Sequence, residues 1–278
     1  MTLTVFFAVL LAALLHAVWN ALIKTGASKM TSMLLLSMGD GLIGLVVALS
    51  RPMPETNIWP WVIASGVIRM GYQLFLTFAY EQGDLSRVYP IARGAAPLMV
   101  LVVGAFVLAD VVRPGEVLGI VVLGAGILLM ARGVFTSGES RRLVPFAFGS
   151  AMATAAYTLV DGTGARLMGD PIAFVGWALF VTSVFFAPVA LVSRGVGVLR
   201  ADRRTWLFGC VGASASYLAY TIVVWAMTQA PIALVAALRE TSILFAVLIG
   251  WIFFGERMGW GKGLAAALIV IGVVLTRV

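Results

Sequence analysis

Long apolar runs separated by short polar joints dominate this chain from one end to the other. A transmembrane helix needs about 20 predominantly apolar residues. The pattern therefore predicts an all-α polytopic membrane protein with ten transmembrane helices, at residues 3–23, 31–49, 58–80, 85–108, 115–131, 143–163, 171–193, 205–227, 231–254 and 261–277. A membrane β-barrel is excluded, because its strands would alternate apolar and polar residues.

The second half of the chain repeats the first in the same order. A shift of 138 residues lays Trp19 on Tyr157, and a shift of 146 residues lays Arg93 on Arg239, with matching glycines nearby. Each copy contains five predicted helices. Because five is odd, the second copy must enter the bilayer from the opposite face. Such inverted repeats are common in secondary transporters and place a substrate site near mid-membrane. We divide the chain into two five-helix repeats around a central cavity, residues 1–135 and 143–278.

Composition agrees with a bilayer environment and excludes several other classes of protein. Of the residues, 62% are hydrophobic and 11% are charged, against about 25% charged residues in soluble domains. The one cysteine, Cys210, allows no internal disulfide, and the one histidine, His16, allows no multi-histidine metal site. The motifs HExxH, GxSxG and the Walker loop do not occur. We therefore expect no enzyme activity and no cofactor.

The net charge of +7 indicates an orientation in the membrane rather than a nucleic-acid partner. No basic patch interleaved with stacking aromatic residues is visible in the sequence. Joints after odd-numbered helices hold twelve Lys and Arg residues, and the opposite face holds four. Cytoplasmic loops carry the excess of such residues. We therefore expect the odd-numbered joints in the cytoplasm and both termini outside.

Ionisable and aromatic residues inside the predicted helices mark the candidate site. An ionised side chain at the centre of a bilayer costs about 2.5–3.5 kcal/mol, so it faces a protein interior or a water-filled cavity. Helices 1, 3, 6 and 8 carry polar or aromatic stripes at helical spacing, and we expect them to wall the cavity with helices 4 and 9. The candidate substrate-binding residues are His16, Trp19, Asn20, Tyr72, Gln73, Tyr80, Arg93, Tyr157, Asp161, Tyr217, Trp225, Arg239 and Glu240.

These candidates also have purely structural interpretations. Tyr and Trp residues near helix ends commonly lie at the membrane–water interface, and Asp161, near the end of the sixth predicted helix, could be solvated. Arg239 and Glu240 could form a structural pair. Arg93 is followed by Gly94 rather than by an acid. We therefore expect at least one of the two arginines to find its partner elsewhere, in a backbone carbonyl or a substrate carboxylate.

Two stretches resemble a known transporter module. Residues 230–256 read APIALVAALRETSILFAVLIGWIFFGE and precede an apolar helix ending IVIGVVLTRV, and the opening segment reads LLHAVWNALIK. Both resemble the EamA-type module of the drug/metabolite transporter superfamily, present as two tandem copies. Over its whole length, the sequence most resembles amino-acid exporters of the YddG kind. The resemblance implies ten helices, inverted repeats, a basket around a cavity, and efflux across the bacterial inner membrane. The first copy departs from the pattern, with ADVVRPGE where the module usually shows GE.

The expected function is a secondary transporter that exports small metabolites by alternating access, with amino acids, including aromatic or large apolar ones, as substrates. A buried arginine would bind the carboxylate, and Asp161, Glu240 or an aromatic face would receive the amine. One alternative is a transporter of phosphates or nucleotide-sugars with an anion clamp of Arg69, Arg93 and Arg239. Another is a membrane scaffold without transport.

The sequence leaves alternatives for the driving force of transport and for the oligomeric state. Either proton coupling or facilitated diffusion could drive the flux, and the candidate proton carriers are His16, Asp161 and Glu240. The predicted helices 5 and 10 are almost purely apolar and small. Such helices act as scaffold or as a contact face, so a homo-oligomer could form through them.

Overall fold

The computed structural model describes residues 1–24, 29–82, 85–136, 143–254 and 259–277. A few side chains beside the gaps, that of Tyr80 included, are not among those described. Throughout these residues the fold is helical and contains no strand. The helices are α1 Leu3–Lys24, α2 Lys29–Leu49, α3 Trp59–Gln82, α4 Leu85–Val107, α5 Pro114–Thr136, α6 Leu143–Met168, α7 Pro171–Arg194, α8 Arg203–Gln229, α9 Ile232–Arg239, α10 Ser242–Phe254 and α11 Trp260–Leu275. One 3₁₀ turn, Val196–Leu199, precedes α8.

The predicted count of ten membrane spans is confirmed over the part of the chain that the structure describes. Helices α1 to α8 form the first eight spans, α9 and α10 together form the ninth, and α11 forms the tenth. Six segments are individually long and apolar enough to cross a bilayer: Leu3–Ala21, Met30–Leu49, Trp59–Ala79, Pro171–Arg194, Arg203–Gln229 and Ile232–Ile249.

The prediction of one continuous ninth helix is wrong, because Glu240 and Thr241 interrupt it. Their amides donate to the carbonyls of Ala237 and Leu238, three residues back, at 3.0 and 3.1 Å. The Thr241 hydroxyl also donates to the Leu238 carbonyl at 2.7 Å. These tight bonds satisfy the polar backbone groups locally. Irregular backbone is tolerated at membrane depth where protein or a cavity surrounds it.

Helix packing has the symmetry expected of two inverted halves, in which each helix contact of one half has an equivalent in the other. Helix α2 packs on α7, and α5 packs on α11. Helix α1 packs on α8 as α6 packs on α3, and α2 packs on α8 as α7 packs on α3. Exchanging corresponding helices of the two halves turns the α1–α8 contact into α6–α3 and the α2–α8 contact into α7–α3, and it maps the α2–α7 and α5–α11 contacts onto themselves. The fold is therefore two inverted five-helix repeats that face each other across the middle of the protein.

Two close helix crossings depend on glycine. A Cβ on Gly44 would lie 2.6 Å from the carbonyl oxygen of Gly176, where α2 crosses α7. A Cβ on Gly119 would lie 2.7 Å from the carbonyl oxygen of Gly272, where α5 crosses α11. Small residues let helices approach closely in membranes. The small-residue faces of α5 and α11 therefore pack on each other within one chain, and a homo-oligomer through their outer faces stays a prediction.

An ion pair connects the joint after α2 to the joint before α7. Arg51 Nη1 lies 2.8 Å from Asp170 Oδ2. Asp170 Oδ1 also accepts from the amides of Ile172 and Ala173, both at 3.1 Å, which caps the start of α7. Partial burial opposes the charge on this carboxyl, but the amides and Arg51 together hold the pKa of Asp170 below its usual value.

Candidate functional site

A cavity of about 60 Å³ lies where the two halves meet, with room for several water molecules, and both charged and apolar side chains line it. Helices of both repeats contribute to its wall, together with the end of α9 at the break. The sequence interpretation omits α2 from this wall, yet α2 contributes three residues. The lining residues are Ala12, His16, Trp19, Met33, Leu36, Asp40, Arg69, Tyr72, Gln73, Tyr157, Leu179, Ser216, Ala219, Tyr220, Val223 and Arg239.

Arg69 of α3 lies in a cage of one carboxylate and two aromatic rings. Its Nη2 and Nε atoms donate to Asp161 Oδ2 at 2.7 and 3.1 Å. Its Cζ atom lies 4.3 and 3.8 Å from the ring centroids of Tyr157 and Tyr220, and the Tyr220 hydroxyl donates to Asp161 Oδ2 at 2.6 Å. The charge of Arg69 is therefore matched inside the protein. Asp161 is fully buried rather than solvated, because α6 continues to Met168.

Two further arginines share Glu240 at the break between α9 and α10. Arg93 Nε lies 3.0 Å from Glu240 Oε2, and Arg239 Nη2 lies 3.2 Å from Glu240 Oε1. Arg93 is 2% exposed and Arg239 is 3% exposed. Arg93 thus finds a partner elsewhere in the chain, as expected, because α9 packs on α4 and both arginines reach the same acid.

His16 connects Arg93 to the cavity wall. Its Nε2 atom lies 2.8 Å from Arg93 Nη2, and its Nδ1 atom accepts from Trp19 Nε1 at 3.2 Å. Guanidinium and indole groups can only donate hydrogen bonds, so each ring nitrogen faces a donor. A neutral imidazole has one N–H and one acceptor nitrogen, so only one of these two contacts is a hydrogen bond, and a second proton would leave no acceptor for either donor. This geometry weakens the interpretation of His16 as a proton carrier.

The structure brings most of the predicted site residues together. Those on the cavity wall are His16, Trp19, Tyr72, Gln73, Tyr157 and Arg239. Directly behind the wall, in contact with lining residues, are Arg93, Asp161 and Glu240. The amide of Asn20 instead turns back to donate to the His16 carbonyl at 2.8 Å. The side chain of Tyr80 lies outside the described residues.

On α8 the cavity face differs from the one that the sequence predicts. Ser216 and Tyr220 line the cavity. Tyr217 packs instead in an apolar cluster with Trp177 of α7, and Trp225 packs against a second cluster. Helical spacing detects a polar stripe, but it does not show whether that stripe faces a cavity or a neighbouring helix. Neighbouring positions on an α-helix point about 100° apart, so a shift of one residue is enough to exchange these faces.

A bidentate ion pair holds the joint between α8 and α9. Arg166 Nη1 lies 2.7 Å from Asp110 Oδ1, and Arg166 Nη2 lies 3.2 Å from Asp110 Oδ2. Arg166 also donates to two carbonyls at the end of α8, at 2.8 and 2.9 Å. Asp110 Oδ2 accepts from the amide of Ile232 at 2.8 Å. Asp110 thus binds both the guanidinium of Arg166 and a backbone amide at the start of α9.

Comparison with known proteins supplies the family. The sequence profile of the EamA-like transporter family matches residues 3–132 and 142–278. The chain belongs to this family. A protein of Bacillus subtilis (strain 168) named "Uncharacterized transporter YwfM" is 26% identical over 246 residues, which span 86% of this chain and 81% of that protein. The EamA resemblance is confirmed, and the protein is a multi-pass membrane transporter.

A solved structure shows that this fold has an experimental counterpart. It is described only as "Crystal structure of protein" and is 19% identical in sequence. It matches this EamA-family transporter with a TM-score of 0.77, over 99% of this chain and 96% of that one. At this level of identity the likeness concerns the fold alone.

Four polar residues that line the cavity are absent from the predicted substrate-binding set: Asp40, Arg69, Ser216 and Tyr220. Of these, Arg69 is predicted from the sequence only in the alternative anion clamp. Asp40 lies on α2 and its Oδ2 atom accepts from Ser216 Oγ at 3.0 Å. A single acid inside the apolar span 31–49 is a signal in its own right, because intramembrane acids are rare and functional. Ser216 and Tyr220 carry no comparable signal, because a serine and a tyrosine next to the predicted stripe of α8 look ordinary in a membrane helix.

Proposed function

We propose that this transporter exports small zwitterionic metabolites, amino acids in particular, across the bacterial inner membrane. The observation that supports this most is a buried arginine, Arg239, on the wall of a cavity that four Trp and Tyr rings also line. Arg239 donates to Glu240 from Nε and Nη2, whereas a guanidinium carries five N–H donors. Its remaining donors would bind a substrate carboxylate in a charge-assisted contact.

The aromatic wall suits an aromatic or large apolar substrate side chain. The rings of Tyr72 and Tyr157 meet edge to face with centroids 5.6 Å apart, and those of Tyr157 and Tyr220 meet with centroids 6.2 Å apart. Trp19 completes this set of lining rings. Such rings offer large apolar contact areas with polar groups at their edges. In this proposal these rings contact the substrate side chain, and Tyr217 and Trp225, which the sequence predicts as part of the site, do not.

The matched charges around the cavity favour a zwitterion over a phosphate or nucleotide-sugar. Arg69 is paired with Asp161, and Arg93 and Arg239 share Glu240. An anion clamp would need several arginines whose charge is free to meet a multiply charged ligand. Here two carboxylates lie against three arginines, so this group retains only one net positive charge. Membership of a transporter family counts against the scaffold alternative.

The inverted architecture supports transport by alternating access. Rocking one five-helix half against the other would open the cavity to each side in turn. The excess of Lys and Arg in the odd-numbered joints supports placing those joints in the cytoplasm. The three candidate proton carriers are each engaged with an arginine. This arrangement supports facilitated diffusion rather than proton coupling.

Uptake by proteoliposomes tests this proposal. Wild-type protein is expected to take up one or more of the common amino acids, with no response to an imposed pH gradient. Arg239→Gln is expected to lower uptake about 10- to 100-fold, since hydrogen bonds to charged groups contribute about 1.5–3 kcal/mol. Glu240 keeps Arg93 as its partner in this variant, so the fold is expected to persist.

The matched control is Arg51→Gln, in the joint between α2 and α3. Arg51 has a 38% exposed side chain and pairs with Asp170 away from the cavity. Uptake by this variant is expected to equal that of the wild type. The proposal is refuted if the wild type moves no amino acid, or if Arg239→Gln moves them at the wild-type rate.

A further inference from the structure

Asp40 is a buried carboxylate whose described contacts use only one of its oxygens. The residue is 6% exposed and lines the cavity. Its Oδ2 atom accepts from Ser216 Oγ at 3.0 Å, but its Oδ1 atom has no hydrogen-bond partner among the described residues. A carboxylate has about four acceptor sites, and burying one with so few partners is costly. The cavity therefore presents a strong acceptor that lacks a donor.

The other two buried acids near the cavity already face positive charge. Asp161 accepts from Arg69, and Glu240 lies between Arg93 and Arg239. Asp40 forms no comparable ion pair with a described side chain; its described bond is to a neutral hydroxyl. A cationic group that enters the cavity would therefore meet Asp40 without having to displace an arginine.

A second unpartnered acceptor lies on the same cavity wall. Gln73 of α3 is 8% exposed and lines the cavity. Its Oε1 atom has no hydrogen-bond partner in the described part of the chain. Helices α2 and α3 of the first repeat thus contribute acceptors, while Arg239 of the second repeat contributes donors. A ligand with one cationic and one anionic group would complement both sides.

We propose that Asp40, held by Ser216 and assisted by Gln73, binds the primary ammonium group of the substrate. The ligand class is an α-amino acid or another compound with a primary amine beside a carboxylate. This inference rests on the proposed transport of amino acids. It assigns the substrate amine to Asp40 instead of Asp161 or Glu240. An ammonium group has three N–H donors and no acceptor, which matches two unpartnered oxygens. A ligand without the amine leaves Asp40 without a donor.

The test compares each amino acid with the same molecule lacking its amine. Wild-type proteoliposomes are first screened with the twenty labelled common amino acids. The best substrate is then competed with itself, unlabelled, and with its des-amino acid, which keeps the carboxylate and the side chain. The same competition is measured for Asp40→Asn, which retains the side-chain volume and an acceptor for Ser216. Asp202→Asn is the matched control, because Asp202 is an exposed cap of α8.

In the wild type and in Asp202→Asn, the amino acid is expected to compete at least about tenfold better than its des-amino acid, since each tenfold corresponds to 1.4 kcal/mol. In Asp40→Asn that preference is expected to vanish while competition by the des-amino acid stays unchanged. An equal weakening of both competitors would show a structural role and overturn the inference. So would an intact preference, with or without an altered response to pH. Absence of amino-acid uptake by the wild type would instead remove the proposed function itself.

Discussion

Glu240→Gln is expected to destabilise the protein by about 3–5 kcal/mol, the cost of leaving buried charges without their partner. Arg93 and Arg239 both lie against this carboxylate, and both are almost fully buried. The amide would keep the size of the side chain but would leave two guanidinium groups facing each other. Folded domains are stable by about 5–15 kcal/mol, so much of the margin is lost. Thermal unfolding in detergent, with the yield of monodisperse protein, measures the effect.

Two companion variants separate charge from packing in this cluster. Combining Glu240→Gln with Arg93→Gln removes one of the two positive charges that face each other. The double variant is expected to recover at least part of the lost stability. Glu55→Gln changes an exposed acid in the joint before α3 and is expected to unfold like the wild type. Wild-type stability in Glu240→Gln alone would mean that the two arginines do not depend on this carboxylate.

Asp161→Asn is expected to cause a loss of similar size, about 3–5 kcal/mol, and to abolish uptake. Arg69 would remain between two tyrosine rings without a carboxylate. A cation–π contact contributes about 2 kcal/mol when desolvated, which does not replace the ion pair. Because Arg69, Tyr157 and Tyr220 all line the cavity, their rearrangement would change the substrate site. Unfolding in detergent and uptake by proteoliposomes are the two measurements.

Two tyrosines of α8 provide the controls for this network. Tyr220→Phe removes the hydroxyl that donates to Asp161 but keeps the ring beside Arg69, so it is expected to cost about 1.5–3 kcal/mol. Tyr217→Phe, three residues earlier and packed on α7, is expected to change stability by less than about 1 kcal/mol and to leave uptake intact. Equal effects of the two substitutions would contradict the assignment of the cavity face of α8.

Hydropathy and internal repetition predict the architecture well in this protein. Each membrane span must be helical, because lipid cannot hydrogen-bond to exposed backbone groups, and it must be long and apolar to cross the hydrocarbon core. The spans can therefore be predicted from hydropathy along the sequence. The alignment of Arg93 with Arg239 also predicts correctly that both arginines are buried near the junction of the halves. Burial follows from the high cost of exposing a guanidinium to hydrocarbon.

Features that depend on contacts between helices distant in sequence cannot be predicted from hydropathy or internal repeats. The break after Arg239 contains neither proline nor glycine, and its position is explained by Glu240 meeting Arg93 of another helix. The rotation of α8 likewise depends on how Tyr217 packs against α7. Asp40 differs from these, because its charge inside an apolar span is visible in the sequence. What the sequence alone does not show is that one oxygen of this carboxylate would lack a hydrogen-bond partner among the described residues.

Cysteine labelling tests most directly whether the cavity is the substrate pathway. Cys210 is the one cysteine and is exposed, so Cys210→Ser provides a clean background. Ala219 and Ala226 lie on the same helix and in the same apolar cluster, but only Ala219 lines the cavity, so Ala219→Cys places a thiol on the cavity wall and Ala226→Cys does not. A small charged thiosulfonate is expected to modify the first and not the second, and a transported amino acid is expected to protect it. An unreactive thiol at position 219, or one that no transported amino acid protects, would contradict the account.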